Sequence, residues 1–249
     1  MPKSGFRSIG LARALSKLGY CSRSQAAALI RAGDVTLNGT IRHDPETPVH
    51  MGSDRILVRG RAVKGADFVY LMMNKPRGLI TTAADEKGRD TIYSILAGKM
   101  PWLAPVGRLD KASEGLLLLT NDSEWGARIV APESHLPKMY HVQINTVADD
   151  DRIKKIQRGV VTEEGESLRA LDCRLLRSGE KNCWLEVTLD EGKNRHIRRM
   201  LAALQLEVLR LVRVSIGSLQ LGALPKGGYR PLTPDEKSAL DRNLARHAS

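Results

Sequence analysis

Four consecutive leucines, Leu116 to Leu119, follow Gly115 in the stretch VGRLDKASEGLLLLTND. So short and wholly apolar a run predicts a β-strand covered on both faces, because a strand with one wet face alternates apolar and polar side chains. A chain containing it has to enclose part of a sheet between two layers. The glycine before the run suits a turn or the close approach of another backbone. Just upstream, Asp110 stands between Arg108 and Lys111 at the entrance to this strand. A carboxylate there is partly desolvated and needs a cation to stay ionised. Sequence neighbours often point apart, so that cation can come from elsewhere in the chain.

Other strand candidates are FVYLMMN, KMYHVQIN, CWLEVTLD and VLRLVRVSIG, and the helix candidates near them are SEWGARIVA, DDRIKKIQRGV and NRHIRRMLAALQ. Strands outnumber helices without regular alternation, which predicts an α+β domain on a mixed or antiparallel sheet over residues 67–240. With 249 residues, 42% of them hydrophobic, the chain can hold this domain and a smaller one as well. The smaller one is expected over residues 8–62. Leu11, Leu15 and Leu18 recur at helical spacing before Gly19, and Ser22 with Gln25 reads as a capping box for a second helix that stops at Gly33. Asn38-Gly39 then marks a two-residue hairpin in DVTLNGTIRH.

Charge is concentrated in this small module. Residues 1–65 carry eleven Lys/Arg against four Asp/Glu, so +7 of the formal net charge of +11 lies in the first quarter of the chain. Arg13, Lys17, Arg23 and Arg31 are placed to meet phosphates. That balance favours a nucleic-acid partner over an acidic membrane surface, since no aromatic-rich amphipathic anchor accompanies it. No apolar run approaches a membrane span, and the start MPKSGFRSIG lacks the apolar core of a signal peptide, so a cytoplasmic protein is expected. Cys21, Cys173 and Cys183 have no metal-ligand spacing and read as free thiols.

Three further features surround Asp110 in the larger domain. Projected as a helix, EGKNRHIRRMLAAL places Ile197, Met200, Leu201 and Leu204 on one stripe and Arg195, Arg198 and Arg199 mainly opposite. Arg198 lies nearest the stripe and is best placed to enter a pocket, leaving Arg195 and Arg199 for solvent or phosphate. In KMYHVQIN, alternation puts Tyr140, Val142 and Ile144 on one face and His141 and Gln143 on the other. NKPRGLITT ends a strand in a turn with Lys75 and Arg77 beside it. Taken singly, each has an ordinary explanation: a turn aspartate, a core tyrosine, a solvated basic face.

In this order, NKPRG, GRLDKASEGLLLLTND, KMYHVQI, EGKNRHIRRM and RVSIGSLQLGALPKGGYRPLT resemble the motifs of pseudouridine synthases of the ribosomal small- and large-subunit RNA type. The run LARALSKLGYCSRSQAAALIRAGDVTLNG resembles the S4 RNA-binding domain, which holds structured RNA by shape and backbone charge. The resemblance implies isomerisation of a uridine in ribosomal RNA or a pre-ribosomal particle, with no cofactor and no metal. It implies that Asp110 is the catalytic aspartate, Tyr140 the tyrosine beneath the target base, and Arg198 the cation paired with Asp110. Arg108 would fill the place of the extruded uridine, and Ile216 would complete the pocket. Lys75, Arg195 and Arg199 join the four cations of the small module as expected RNA contacts. Many members have Thr where this chain has Ser113, which is followed by Glu114; that departure leans toward large-subunit RNA.

Rival readings are weaker. Asp149-Asp150-Asp151 could suggest a metal-dependent nuclease, but acids just before DRIKKIQRGV suit a helix N-terminus. Asp110 with Glu114 could suggest a glycosidase pair, which fits poorly with a charge of +11. Against a non-catalytic RNA-binding or ribosome-assembly protein stand Asp110, Tyr140 and Arg198, all intact. Nothing indicates an obligate interface, and a monomer is expected.

Overall fold

Ser22 begins the second of two N-terminal helices, and its capping box is formed: Ser22 Oγ accepts from Gln25 N at 3.1 Å while Gln25 Oε1 accepts from Ser22 N at 3.0 Å. The computed structural model describes residues 8–82, 88–96 and 100–246; most of MPKSGFRSIG, considered above for a signal peptide, lies outside them. These residues divide into two compact units. The first comprises 8–70, 100–104 and 119–123, the second 71–82, 88–96, 105–118 and 124–246.

In the first unit, helices Leu11–Lys17 and Arg23–Arg31 bury Leu11, Leu15, Ala26 and Ile30 against Val35, Leu37, Ile56 and Val58. Strands Val35–Leu37 and Thr40–Ile41 form the expected hairpin through Asn38 and Gly39, whose φ values of 52° and 83° match the turn that such a pair favours. Strands Ile56–Val58 and Arg61–Ala62 complete a four-stranded sheet. With the apolar stripes turned inward, Arg13, Arg23 and Arg31 are exposed and Lys17 is half-buried.

The second unit is built on a nine-stranded mixed sheet, apart from the strand-end residues Tyr70, Ala104, Leu119 and Thr120, which group with the first. Its path runs through strands Asp172–Ser178, Cys183–Leu189, Lys138–Ile144, Val208–Ile216, Glu114–Thr120, Tyr70–Lys75 and Tyr229–Pro231. Leu116 to Leu119 have no exposed surface, as the apolar run requires. The strand they occupy runs parallel to Val208–Ile216, with Gly115 beside Arg213. Gly115 has φ 102°, and a Cβ there would overlap the Arg213 carbonyl, so the parallel pairing depends on this glycine. On one face of the sheet Val142, Leu185, Val187 and Leu211 pack with Ile197, Met200 and Leu201 of helix His196–Ala202 and with Ile156 of helix Asp150–Arg158.

Asp149 caps the latter helix by accepting from Arg152 N at 2.8 Å, and Asp150 and Asp151 fill its first turn. Among the elements outside the sequence expectations are one long edge strand and the last helix. Strand Asp172–Ser178 buries only Cys173, so it shows no alternating pattern. Helix Pro234–Arg246 starts from a second capping box, in which Glu236 N donates to Thr233 Oγ1 (3.2 Å) and Thr233 N donates to Glu236 Oε2 (2.8 Å). That T-x-x-E signature was available in the sequence. Among the described residues, no helix is long and apolar enough to cross a membrane.

Candidate active site

Five consecutive carbonyls, from Leu109 to Ser113, each accept a hydrogen bond from a residue distant in sequence. Thr81 Oγ1 donates to Leu109 O at 2.8 Å, Gly78 N to Lys111 O at 2.8 Å, and Arg198 Nη2 to Ala112 O at 3.2 Å. Lys75 Nζ holds the other two, Asp110 O at 3.2 Å and Ser113 O at 2.9 Å. The NKPRGLITT turn is thus a clamp on the backbone that presents Asp110. Lys75 ends strand Tyr70–Lys75 with no exposed surface, which corrects its assignment as an RNA contact. Burial lowers its ammonium to about 8, with the Asp110 and Glu114 carboxylates pulling the other way.

The loop opens into a pocket formed with residues from several other parts of the second unit. Lys138 and Tyr140 come from one central strand, Leu211, Arg213 and Ile216 from the next, and Arg195, Ile197 and Arg198 from the helix and its approach. Asp110, Tyr140, Arg108, Arg195, Arg198 and Ile216 are therefore brought together from positions up to 108 residues apart. Arg108 is exposed, whereas Ile216 is buried and Tyr140 half-buried against the core containing Val142 and Ile144.

Among the described residues, the cation within ion-pair reach of Asp110 is Arg195, with Nη1 3.9 Å from Oδ2, and not Arg198. Arg198 turns its two terminal nitrogens to backbone, Nη2 to Ala112 O and Nη1 to Val208 O at 3.3 Å. Burial, with Arg195 alongside, holds its guanidinium below its ordinary range, and only the field of Asp110 opposes them. The difference comes from where the helix begins. Arg195 precedes it in a left-handed conformation, φ 49°, so its side chain leaves the direction that a helical projection assigned to it.

Arg199 also departs from expectation: its Nη2 pairs with Glu166 at 2.6 Å and Glu164 at 3.4 Å, so it already has anions of its own. Glu114 is buried and accepts both Arg210 Nε (3.1 Å) and Nη2 (3.2 Å), with Lys226 Nζ at 2.8 Å. That network commits it to the strand and away from an acid pair with Asp110. Arg13, Lys17, Arg23 and Arg31 belong to the first unit and are not part of this pocket.

Sequence reasoning passed over Lys138 and Arg213. A signal for Arg213 existed, since it shares a strand face with Leu211, where an apolar residue is the ordinary occupant. Chemically, the pocket offers an anchored carboxylate, an aromatic ring, an apolar wall and several desolvated cations. That set can accept a planar polar group and hold charge developing on it.

Known proteins resemble this chain along most of its length. The profile of the family described as RNA pseudouridylate synthase matches residues 69–203, and that of the S4 domain residues 9–56. Ribosomal large subunit pseudouridine synthase B of Bacillus subtilis (strain 168) is 36% identical over 239 residues, covering 95% of this chain and 97% of that protein. A Rickettsia conorii protein named as an uncharacterized RNA pseudouridine synthase is 37% identical over 223 residues, 89% of this chain and 95% of the other. A crystal structure described as a pseudouridylate synthase aligns with a TM-score of 0.64 at 30% identity, covering 94% of this chain and 100% of that one.

Proposed function

This chain belongs to the RNA pseudouridylate synthases, with an S4 domain on its N-terminal side, and on that premise we propose that it isomerises a uridine of ribosomal RNA with Asp110 as the catalytic carboxylate. As a member of that family it is an isomerase. The observation that carries the proposal is the clamp on the five carbonyls around Asp110, which fixes this carboxylate in a pocket with Tyr140, Ile216, Arg195 and Arg198.

In the reaction the bond from N1 to C1′ breaks, the detached uracil turns, and C5 bonds to C1′. A stacked uridine is out of reach, so the nucleotide first leaves the helix at a cost of a few kcal/mol, offset by phosphate contacts. Arg108, exposed at the pocket, is placed to occupy the vacated stack. Asp110, as an anion beside Arg195 and Arg198, acts on the sugar by addition or by removing a proton, while Tyr140 stacks on the base. The isomerisation balances without an oxidant or a group donor. Arg13, Lys17, Arg23 and Arg31 supply sequence-independent attraction to the RNA in an S4 module over residues 8–62, and the synthase domain covers 67–240. We place the substrate in large-subunit RNA or its precursor particle, on the strength of Ser113-Glu114 and of the Bacillus subtilis relative, and take the protein to act as a monomer in the cytoplasm.

The test is Asp110→Asn assayed on ribosomal RNA, with pseudouridines mapped in cells with and without the gene. Product formation is expected to vanish while RNA affinity stays nearly unchanged. Full activity in that variant would sink the assignment of Asp110, and a lost pseudouridine in small-subunit RNA would move the substrate.

A further inference from the structure

Lys138 and Arg213 line the pocket and play no part in the mechanism above; Lys193, also unused there, is paired with Glu191 at 2.9 Å and Glu166 at 3.6 Å. Lys138 opens strand Lys138–Ile144, where its backbone is paired with Ile216, and Arg213 lies in the neighbouring strand, paired with Tyr140. Both line the pocket beside the tyrosine and the isoleucine assigned to the base. Among the described residues, neither makes an ion pair within 4.0 Å; Asp190, the carboxylate whose field reaches Lys138, stands 3.7 Å from His135 instead. Arg213 is only 6% exposed; its Nε donates to Leu116 O at 2.7 Å, but its Nη2 is buried with no partner. Ser113 Oγ and Arg198 Nε, on other walls of the same pocket, are also buried and unpartnered. Buried polar atoms in a folded chain normally find partners, so such a cluster in one pocket marks a place where a polar ligand supplies them.

We propose that Lys138 and Arg213 form the wall that carries the negative charge of the detached uracil. This rests on reading the pocket as the site of uridine isomerisation. When the bond from N1 to C1′ breaks, both electrons stay with the base, and the charge spreads over N1 and the two carbonyl oxygens. An ammonium and a guanidinium donating to those oxygens bind the departing anion more tightly than the neutral, sugar-bound base. Only such a difference speeds the step. The charge is discharged when C5 bonds to C1′; the proton on C5 then leaves and N1 takes one up, so the product is an isomer of the starting uridine. Burial of Lys138, reinforced by the neighbouring Arg213 charge and opposed by Asp190, lowers its ammonium to about 8, as expected of a cation withdrawn from water beside another. A phosphate is the other anion that could meet this pair, but the depth of Arg213 and its position next to Tyr140 favour the base.

The test uses the full chain and a ribosomal RNA fragment that it is shown to convert, transcribed with either uridine or 5-fluorouridine. Lys138 is the residue to change, because Arg213 is also bonded to the sheet. Under single-turnover conditions Lys138→Met should slow loss of the original uridine by about 100-fold, the scale for removing one charge-stabilising donor. RNA affinity should not move, and Lys138→Arg should recover most of the rate. Fluorine makes the base a better leaving group, so the deficit of Lys138→Met should shrink severalfold on the 5-fluorouridine RNA. An equal deficit on both RNAs overturns the proposal, as does a slower rate that follows weakened RNA binding, the mark of a phosphate contact. Asp110→Asn run alongside separates the two claims, since turnover by that variant would overturn the reading of the pocket itself.

Discussion

Arg13, Arg23 and Arg31 stand in water on the helices of the first unit, whereas Lys75, Arg198 and Arg213 of the second are withdrawn from it and bonded to backbone carbonyls. The same residue types are thus held in opposite ways. Exposed cations keep their hydration and attract any phosphate backbone over a distance set by salt. Buried ones cost desolvation and are retained where fixed geometry matters more than stability. In this molecule the first arrangement suits holding RNA, and the second suits positioning a carboxylate.

The contrast is tested most strongly at Lys75. Lys75→Met leaves the Asp110 and Ser113 carbonyls without their ammonium, and a loss of about 2 kcal/mol in stability is expected from orphaned buried acceptors. Turnover should fall by at least about tenfold as the Asp110 loop loosens. RNA affinity should hold, and thermal unfolding with single-turnover rates would separate these effects; weaker RNA binding would return Lys75 to the RNA-contact class.

Changing Arg13, Arg23 and Arg31 together to alanine should do the reverse. Binding should weaken and the slope of log affinity against log salt should fall by about 2, as expected when three phosphates are no longer neutralised. The single-turnover rate at saturating protein should not change. An unaltered slope would remove these arginines from the RNA interface.

Raising pH separates the two sets again. Lys75 and Lys138 are each lowered to about 8, so their charge is present below that value and is lost as pH rises through it. Arginines stay charged throughout. Turnover should therefore decline above about pH 8 while RNA affinity persists. Stability moves the other way: between about 8 and 10.5 the unfolded chain holds protons that the folded lysines have released, so their contribution to stability grows over that window. The smallest effect is expected at Ser22, where Ser22→Ala removes the capping box and should lower the stability of the first unit by about 1 kcal/mol. A larger loss would mean that the cap also sets the angle between the two helices.

Legibility divided along the same line as the contrast. The capping box at Ser22, the turn at Asn38-Gly39, the buried leucines and the close approach at Gly115 all follow from neighbours in sequence or from a simple period, and each could be read without coordinates. The edge strand Asp172–Ser178 could not, because only one of its side chains is buried and no pattern survives. The T-x-x-E start of the last helix was legible and was missed.

The sequence by itself determined the α+β class, the basic N-terminal module and part of the pocket, Arg108, Asp110, Tyr140, Arg195, Arg198 and Ile216, but not Lys138 or Arg213. Only the tertiary structure decided which cation serves which partner. A left-handed residue at the head of one helix brings Arg195 within 3.9 Å of Asp110 and leaves Arg198 to the carbonyls of Ala112 and Val208. Lys75 looked like a surface charge in a turn and is a buried clamp. The physical reason is that a pairing between charges depends on depth and on directions of side chains set by distant backbone. Hydrophobic period and capping chemistry depend on the few residues beside them, and so can be read along the chain.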